Sequence, residues 1–419
     1  MLVKLHGKIS DGIDYAEQMT NRRSSRLTVL ASSIFIASAK FTCQFLSHLE
    51  VARYHTTAMV RLDQSTHFER GFAQGRAFQR QIRELYDVIS TASEQKRDRY
   101  INIQSTLEAL KKEIPSSIME EMEGLAQGAN CSLDEVIHAH IFIDFYTGEN
   151  GCSALATLNV GDRTFRIAAT NHFASIPDEN KNPDSRERLE RLETMRMDGD
   201  EESHKRALRL TSQKNTIFST IFIGNRILFA KGLSDTPLYH LYQTHSMTKD
   251  AAEGEQTEVI SSSNLDWAWR DLVRHAYFAE HLPIGDRLGF TTLAFPGFIG
   301  VLRGRNTKGV SVHCCQSGEA LQKALPITFV FRKVLEEAHS VEHALEILEN
   351  IEPASSMNLL IAGSDQIVVA ELDPERKTKG PACVRYPESS PYVSPTEKRA
   401  KERAEPPLYG YSLASMEVI

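Results

Sequence analysis

Cys152 is the residue best placed in this sequence to act as a nucleophile. It follows the turn-forming run Thr147-Gly148-Glu149-Asn150-Gly151 and opens an apolar, strand-like stretch, Ser153–Leu158. A packing cysteine usually lies inside an apolar run, whereas one at a strand start behind a glycine can be exposed. As a thiolate it attacks acyl carbons. Cys314 and Cys315 form an adjacent pair in another strand-like run, so their side chains are expected on opposite faces. Asn264-Leu265-Asp266-Trp267 closes a third such run, Val259–Ser263, and alternation puts Asn264 and Asp266 on one face. A carboxylate there reads either as a turn cap or as a polar partner for a reacting group. No C-x-x-C, H-E-x-x-H or paired His/Cys spacing occurs, and no G-x-x-x-x-G-K-[ST], so neither a zinc site nor a phosphate-binding loop is expected. His138 and His140 lie two apart on a helical pattern, face different ways, and read as solvated or core residues.

The elements that must position these residues divide into a helical half and a strand-rich half. Residues 66–89 place apolar side chains at Phe78, Ile82, Leu85 and Ile89, the spacing of an amphipathic helix. Gly71 and Gly75 sit one turn apart near its start; each costs helix propensity, which points to close packing against another backbone or to a frayed start. Further helical periodicity runs through Leu107, Leu110 and Ile114, breaks at Pro115, and resumes at Ile118, Met122 and Leu125. Ser132-Leu133-Asp134-Glu135 is a capping box that opens another helix. From Cys152 the pattern changes to strands: Ser153–Leu158, Thr164–Thr170, Ile217–Ile223 and Arg226–Ala230. The polar block 178–204 between them is expected as a solvated helix or mobile loop. More strand pattern runs from Glu258 to Val312. Helices at Phe329–Glu337 and Val341–Ile351 and a hairpin of Met357–Ala362 with Gln366–Leu372 follow.

Composition narrows the partners. The 419 residues carry 48 basic and 55 acidic side chains, a net charge of -7, so no basic excess exists to bind a nucleic-acid backbone. No apolar run is long enough for a transmembrane helix, which needs ~18 residues or more. Arg22, Arg23 and Arg26 precede an uncharged stretch, Leu27–Ala39, that ends in A-x-A; with Met19 as its start, residues 19–39 form a secretory-signal pattern. That reading implies a secretory or vacuolar protein. The alternative, an ordinary amphipathic helix, leaves it cytoplasmic. The expected organisation is a 1–50 extension, a 51–151 helical segment, a 152–375 core with an insertion at about 174–254, and a polar, unpacked 376–419 tail.

Five stretches in order carry a family likeness: THFERGFAQGRAFQRQI (66–82), MEEMEGLAQGANCSLDEV (119–136) with ENGCSAL (149–155), SSSNLDWAW (261–269), AFPGFIGVLRGRNTKGVSV (294–312) and LPITFVFRKVLEEAHSVEHALEILENIEPASSMNLLIAG (325–363). Together they resemble the acyl-CoA:6-aminopenicillanic acid acyltransferase family of N-terminal-nucleophile hydrolases (peptidase C45 type). Acid ceramidase and N-acylethanolamine-hydrolysing acid amidase are its relatives. The resemblance implies an α+β fold, a four-layer α-β-β-α sandwich, and a precursor that cuts itself between Gly151 and Cys152 into associated α and β chains. Cys152 then becomes both nucleophile and amino terminus, acting on a small-molecule acyl amide or acyl-CoA by hydrolysis or acyl transfer. No metal or organic cofactor is implied. The α-amine, whose ordinary pKa is about 7.7–8.0, takes the thiol proton near neutral pH.

Asp266 is then expected to orient Cys152 and its amine, Asn264 to support that strand end, and Gln316, or Cys315 in the alternative register, to occupy the oxyanion-donor position. Arg332 and Trp267 are expected at the substrate. One departure from the pattern is the separation of Cys152 from Asp266, 114 positions (266 − 152), where a hairpin needs ~15–20. Thr170-Asn171-His172-Phe173 has the hairpin spacing but lacks the aspartate. The insertion, Gln316 where the family carries an asparagine, and a carboxy terminus short of the family's last strands motivate a second reading, a catalytically decayed member that serves as a binding scaffold. A third reading pairs Cys152 with His172 as in a thiol protease.

Overall fold

The computed structural model describes residues 51–54, 57–95, 103–145, 151–175, 183–213, 216–231, 240–243, 258–266 and 275–387. The signal-like segment, Trp267 and most of the polar tail therefore lie outside the described residues. Two strands, β1 (Val51–Tyr54) and β2 (Thr57–Leu62), lead into four helices: α1 (His67–Gln95), α2 (Ile103–Glu113), α3 (Ser116–Ala129) and α4 (Leu133–Phe145). Strands β3 (Gly151–Val160) and β4 (Arg163–Ala169) form a hairpin, and helices α5 (Pro183–Thr194) and α6 (Glu201–Thr211) follow. Then come β5 (Thr216–Ile223), β6 (Arg226–Lys231), β7 (His240–Gln243), β8 (Glu258–Asp266), β9 (Tyr277–His281), β10 (Phe290–Ala294), β11 (Arg303–Asn306) and β12 (Ser311–Leu321). Helices α7 (Ile327–Glu337) and α8 (Val341–Glu349) precede the closing strands β13 (Ser355–Ala362), β14 (Ile367–Leu372) and β15 (Cys383–Arg385).

The strands make two sheets, one of nine strands in the order β1-β2-β9-β10-β11-β12-β13-β14-β15 and one of six in the order β4-β3-β8-β5-β6-β7. Every pairing is antiparallel except β2 with β9. The sheets stack face to face. Phe229 meets Phe278 edge-on with ring centroids 5.1 Å apart, and Ser263 Oγ lies 2.7 Å from His313 Nδ1. Helices α5 and α6 cover the outer face of the six-stranded sheet, where Leu189, Leu192 and Ala207 pack on Leu155 and Ala168. The remaining helices cover the outer face of the nine-stranded sheet. The result is the four-layer α-β-β-α sandwich that the resemblance implies.

The helical half assembles as its spacing predicts. Ile82, Leu85, Tyr86 and Ile89 of α1 and Ile118, Met122 and Leu125 of α3 are all buried. Gly71 and Gly75 are neither frayed nor incidental. A Cβ added at Gly71 would lie 1.8 Å from the Glu121 carbonyl oxygen, and one at Gly124 of α3 would lie 2.0 Å from the Phe68 oxygen. The two helices thus touch backbone to backbone. The capping box also forms: Ser132 Oγ accepts the Glu135 N–H (3.2 Å) while Glu135 Oε2 accepts the Ser132 N–H (2.8 Å).

Two sequence expectations change. From residue 183 the polar block holds α5 and the start of α6, which bury Arg188 and His204 under their polar exteriors, so its described part is helical and not wholly solvated. The tail is packed as far as β15, because Arg385 and Arg376 both reach the buried carboxylate of Glu371.

Candidate active site

Strand β3 runs between β4 and β8, with Gly151 opposite Asp266, Cys152 opposite Leu265 and Ser153 opposite Asn264. Both neighbours proposed for the nucleophile from sequence, the near Thr170–Phe173 turn and the distant Asp266 strand, therefore flank it. The long interval between Cys152 and Asp266 contains β5, which pairs with the other edge of β8, and β6 and β7, which extend the sheet beyond it.

Alternation fixes which way each side chain faces. Ser153 and Thr157 point to the outer helices: Ser153 Oγ donates to Thr211 Oγ1 (3.0 Å), and Thr157 Oγ1 lies 2.8 Å from His204 Nε2. Cys152 therefore points the other way, into the space between the sheets, and is 3 % exposed. Burial pushes its thiol pKa up, the guanidinium of Arg303 pulls it down, and the Asp266 carboxylate adds to the rise.

The backbone of Cys152 is held by two residues that sequence reasoning did not select. Its N–H donates to Asn171 Oδ1 (2.5 Å), while Asn171 Nδ2 donates to the Gln316 carbonyl (2.8 Å) and ties the nucleophile strand to the facing sheet. Arg188 Nη1 donates to the Cys152 carbonyl (2.7 Å), and Nη2 donates to Asn171 Oδ1 (3.1 Å). Arg188 Nε is anchored on Asp184 Oδ2 at 3.0 Å. Asn171 had a signal, its hairpin spacing from Cys152. Arg188 had a fainter one: Ser185, Arg188, Leu189 and Leu192, all buried, mark one helical face of α5.

Asp266 shares its face with Asn264, on the helix side of the sheet, so its carboxylate and the Cys152 thiol lie on opposite sides of the strand layer. The carboxyl stands beside the backbone of the nucleophile, and it is the backbone of Asp266, not its side chain, that hydrogen-bonds the thiol. Asp266 Oδ1 accepts from Thr216 Oγ1 (2.6 Å), Arg188 Nη1 stands 3.9 Å from Oδ2, and Oδ2 has no hydrogen-bond partner although it is buried. Burial raises this carboxyl to about 7, against the pull of Thr216 and Arg188. Asn264 does support the strand end. Its Nδ2 donates to the Leu208 carbonyl (2.9 Å), and its Oδ1 accepts from Ser219 Oγ (2.5 Å).

Two expected site residues are placed elsewhere. Ser311 and His313 of β12 face the six-stranded sheet through Ser261 and Ser263. Cys315 shares that face, with its thiol 3.5 Å from the Ala169 carbonyl, and the side chain of Gln316 is turned to the helix side. Gln316 meets the site through its backbone carbonyl, and Cys315 is the residue of the pair that faces inward. Arg332 is buried completely and spends its donors on Glu121 Oε2 (2.6 Å), Glu336 Oε1 (2.7 Å) and the Ile299 carbonyl (3.0 Å). All three of its nitrogens are engaged inside the fold, so it serves as a structural ion-pair centre. His172 Nδ1 lies 2.9 Å from Ser185 Oγ, which gives it a partner other than Cys152.

What the arrangement offers chemically is a buried thiol at a strand start, a peptide nitrogen tethered to an amide oxygen, and a carboxyl and a guanidinium beside that backbone. Among the described residues no group of three or more His, Cys, Asp or Glu side chains could hold a metal ion, and no helix is long and apolar enough to cross a membrane.

Comparison with known proteins agrees with the sequence resemblance. Residues 253–393 match the family described as acyl-coenzyme A:6-aminopenicillanic acid acyl-transferase. No curated protein matches the chain. Among solved structures, the Caenorhabditis elegans N-acylethanolamine-hydrolyzing acid amidase ortholog is similar at 16 % identity, covering 40 % of this chain and 63 % of that one, with a TM-score of 0.23. The match thus spans less than two thirds of that protein.

Proposed function

We propose that this chain, which over residues 253–393 resembles the acyl-coenzyme A:6-aminopenicillanic acid acyl-transferase family, is a self-processing cysteine hydrolase or acyltransferase of the N-terminal-nucleophile type. In the precursor the Cys152 thiol attacks the Gly151 carbonyl, the peptide nitrogen leaves as an amine, and water hydrolyses the resulting thioester. Gly151 becomes a carboxyl terminus and Cys152 an amino terminus. The freed amine takes the thiol proton, and the thiolate attacks the carbonyl carbon of a linear amide or thioester. The leaving amine or thiol receives that proton. The acyl group then passes from sulfur to water or to an amine acceptor.

The observation that carries this reading is Oδ2 of Asp266, a buried oxygen beside the backbone of residues 151 and 152 that has the Arg188 guanidinium at 3.9 Å but no hydrogen-bond donor. Buried polar atoms are rarely left unpaired. Cleavage before Cys152 turns one N–H into an ammonium or amine with spare donors, which supplies what this oxygen lacks.

The two segments either side of the cut are expected to stay associated. Glu121 of α3 is paired with Arg332, Asp144 Oδ1 of α4 accepts the Ile327 N–H (3.1 Å) and the Ser355 hydroxyl (2.6 Å), and Ile299 N–H donates to His140 Nε2 (2.8 Å). All four contacts cross from the helical half to the core.

Intact-mass measurement of the purified protein tests the proposal. The expected result is two chains divided between Gly151 and Cys152 for the wild type and one whole chain for Cys152→Ala. A wild-type chain of full mass would overturn self-processing. The competing scaffold reading draws on the outward turn of the Gln316 side chain. It predicts in addition that Cys152 is no more reactive toward an acylating probe than Cys383.

A further inference from the structure

Arg303 of β11 pairs in register with His313 and so faces the space between the sheets, the same space that receives the Cys152 thiol. It is completely buried. Its Nη1 and Nη2 approach the Ser263 and Asn264 carbonyls only to 3.5 Å each, too long for strong hydrogen bonds, and Nε has no partner; its other neighbours are the Cys314 thiol, to which it hydrogen-bonds, and the more distant Asp266 carboxyl, which feels its charge. Its guanidinium carbon lies 5.1 Å from the centre of the Phe218 ring. Among the described residues no carboxylate lies within ion-pair distance of it. The contrast is Arg332, equally buried, which two carboxylates hold at 2.6 and 2.7 Å. A desolvated cation needs a compensating negative charge, and removing water is expensive without one.

The location of Arg303 points to that charge. Ser263 and Asn264 immediately precede Leu265, the register partner of Cys152. The amide that sequence analysis placed at the oxyanion position, Gln316, turns its side chain to the other side of its sheet. The thiol of Cys315, on the correct face, lies against the Ala169 carbonyl. We propose that Arg303 is the anion-holding group of this site, stabilising the Cys152 thiolate before attack and the tetrahedral oxyanion after it, in place of a side-chain amide.

The inference rests on the reading of Cys152 as nucleophile. It does not require that the chain be cut. The other groups bearing on the thiol are Asp266 of β8, Arg188 of α5 and the thiols Cys314 and Cys315 of β12. Ser263 of β8 and His313 of β12 share the inter-sheet space, and burial keeps His313 neutral by driving its pKa well below the usual value.

The test is the pH dependence of Cys152 alkylation by iodoacetamide, read by peptide mass so that the other cysteines are scored separately, on wild type, Arg303→Met and Arg303→Lys. Loss of the cation in Arg303→Met is expected to move the alkylation midpoint up by about one pH unit, seen as about tenfold slower labelling at neutral pH. Arg303→Lys is expected to restore most of it. An unchanged midpoint in folded Arg303→Met would overturn the proposal. Should that variant fail to fold, Arg303→Gln, which keeps polar contacts without the charge, is judged by the same criterion. The intact mass of the same samples separates the two claims: an uncut wild type defeats self-processing, yet the thiol titration still reads Arg303. A wild-type Cys152 that resists alkylation at every pH would defeat the nucleophile and Arg303 together.

Discussion

The guanidinium of Arg188 and the backbone N–H of Cys152 donate to one and the same atom, Oδ1 of Asn171, at 3.1 and 2.5 Å. A fixed cation therefore stands next to the nitrogen that would become an α-amine in the proposed cleavage. Like charges close together disfavour the protonated form, so the cation should hold that amine as a free base at lower pH than it would otherwise reach.

Replacing Arg188 by methionine should raise the pKa of this amine. The rising, acid-side limb of the activity profile is expected to move upward by about one pH unit, with Arg188→Lys restoring part of the shift. The measurement is the pH dependence of turnover of a chromogenic acyl amide. A merely structural role would lower activity at every pH without moving the limb.

Asn171→Ala removes both the acceptor for Cys152 and the donor to the Gln316 carbonyl. The loss is expected to destabilise the fold by about 1–3 kcal/mol, because two buried backbone groups lose their partners. The Gly151–Cys152 cut should slow by more than this loss of stability explains. Thermal unfolding together with a time course of chain cleavage separates the two effects.

Asp266 has its carboxyl raised to about 7 by burial, so the folded state resists its ionisation. A group whose folded pKa exceeds its unfolded one contributes stability at low pH and loses it as pH climbs toward the folded value. Between the ordinary carboxylate range and about pH 7 this stabilising contribution should fade. Asp266→Asn is expected to flatten that slope, with less difference between melting temperatures at pH 5 and pH 8 than in wild type. Asp144, also raised to about 7, leaves a residual slope in the variant.

Arg332→Met should be among the most damaging single changes, costing about 3–5 kcal/mol, because it strands two buried carboxylates. Gly71→Ala is expected to be similarly harmful for a different reason: its methyl group would collide with the Glu121 carbonyl oxygen. In a cleaved sample either change should release the amino-terminal segment from the core on size-exclusion chromatography.

Much of this arrangement is legible in the chain. Apolar spacing locates α1 and α3, the Ser132–Glu135 pattern marks the start of α4, and the Gly151–Cys152 junction falls at the beginning of a strand. What escapes is which face each residue presents and which distant residue it meets. Gln316 and Cys315 differ by one position in β12, and only the pairing of that strand tells which turns inward. Arg332 reads as a free cation because Glu121, its partner, lies more than two hundred residues earlier in the chain. Arg188 sits among so many charged neighbours that its helix looks solvated, and only the buried row of Ser185, Arg188, Leu189 and Leu192 distinguishes it.

The parallel pairing of β2 with β9 carries a consequence for the processed protein. Residues 59–62 lie before the proposed cut and residues 278–281 after it. The larger sheet would therefore be woven from two polypeptides, with the β1–β2 ribbon as a detachable border. Were the fragments to part, β9 would be left as a naked rim with open backbone donors and acceptors, primed to stick to its own kind. Severing the peptide bond would thus commit the two pieces to lifelong partnership, and loss of the smaller one should show as clumping of the larger.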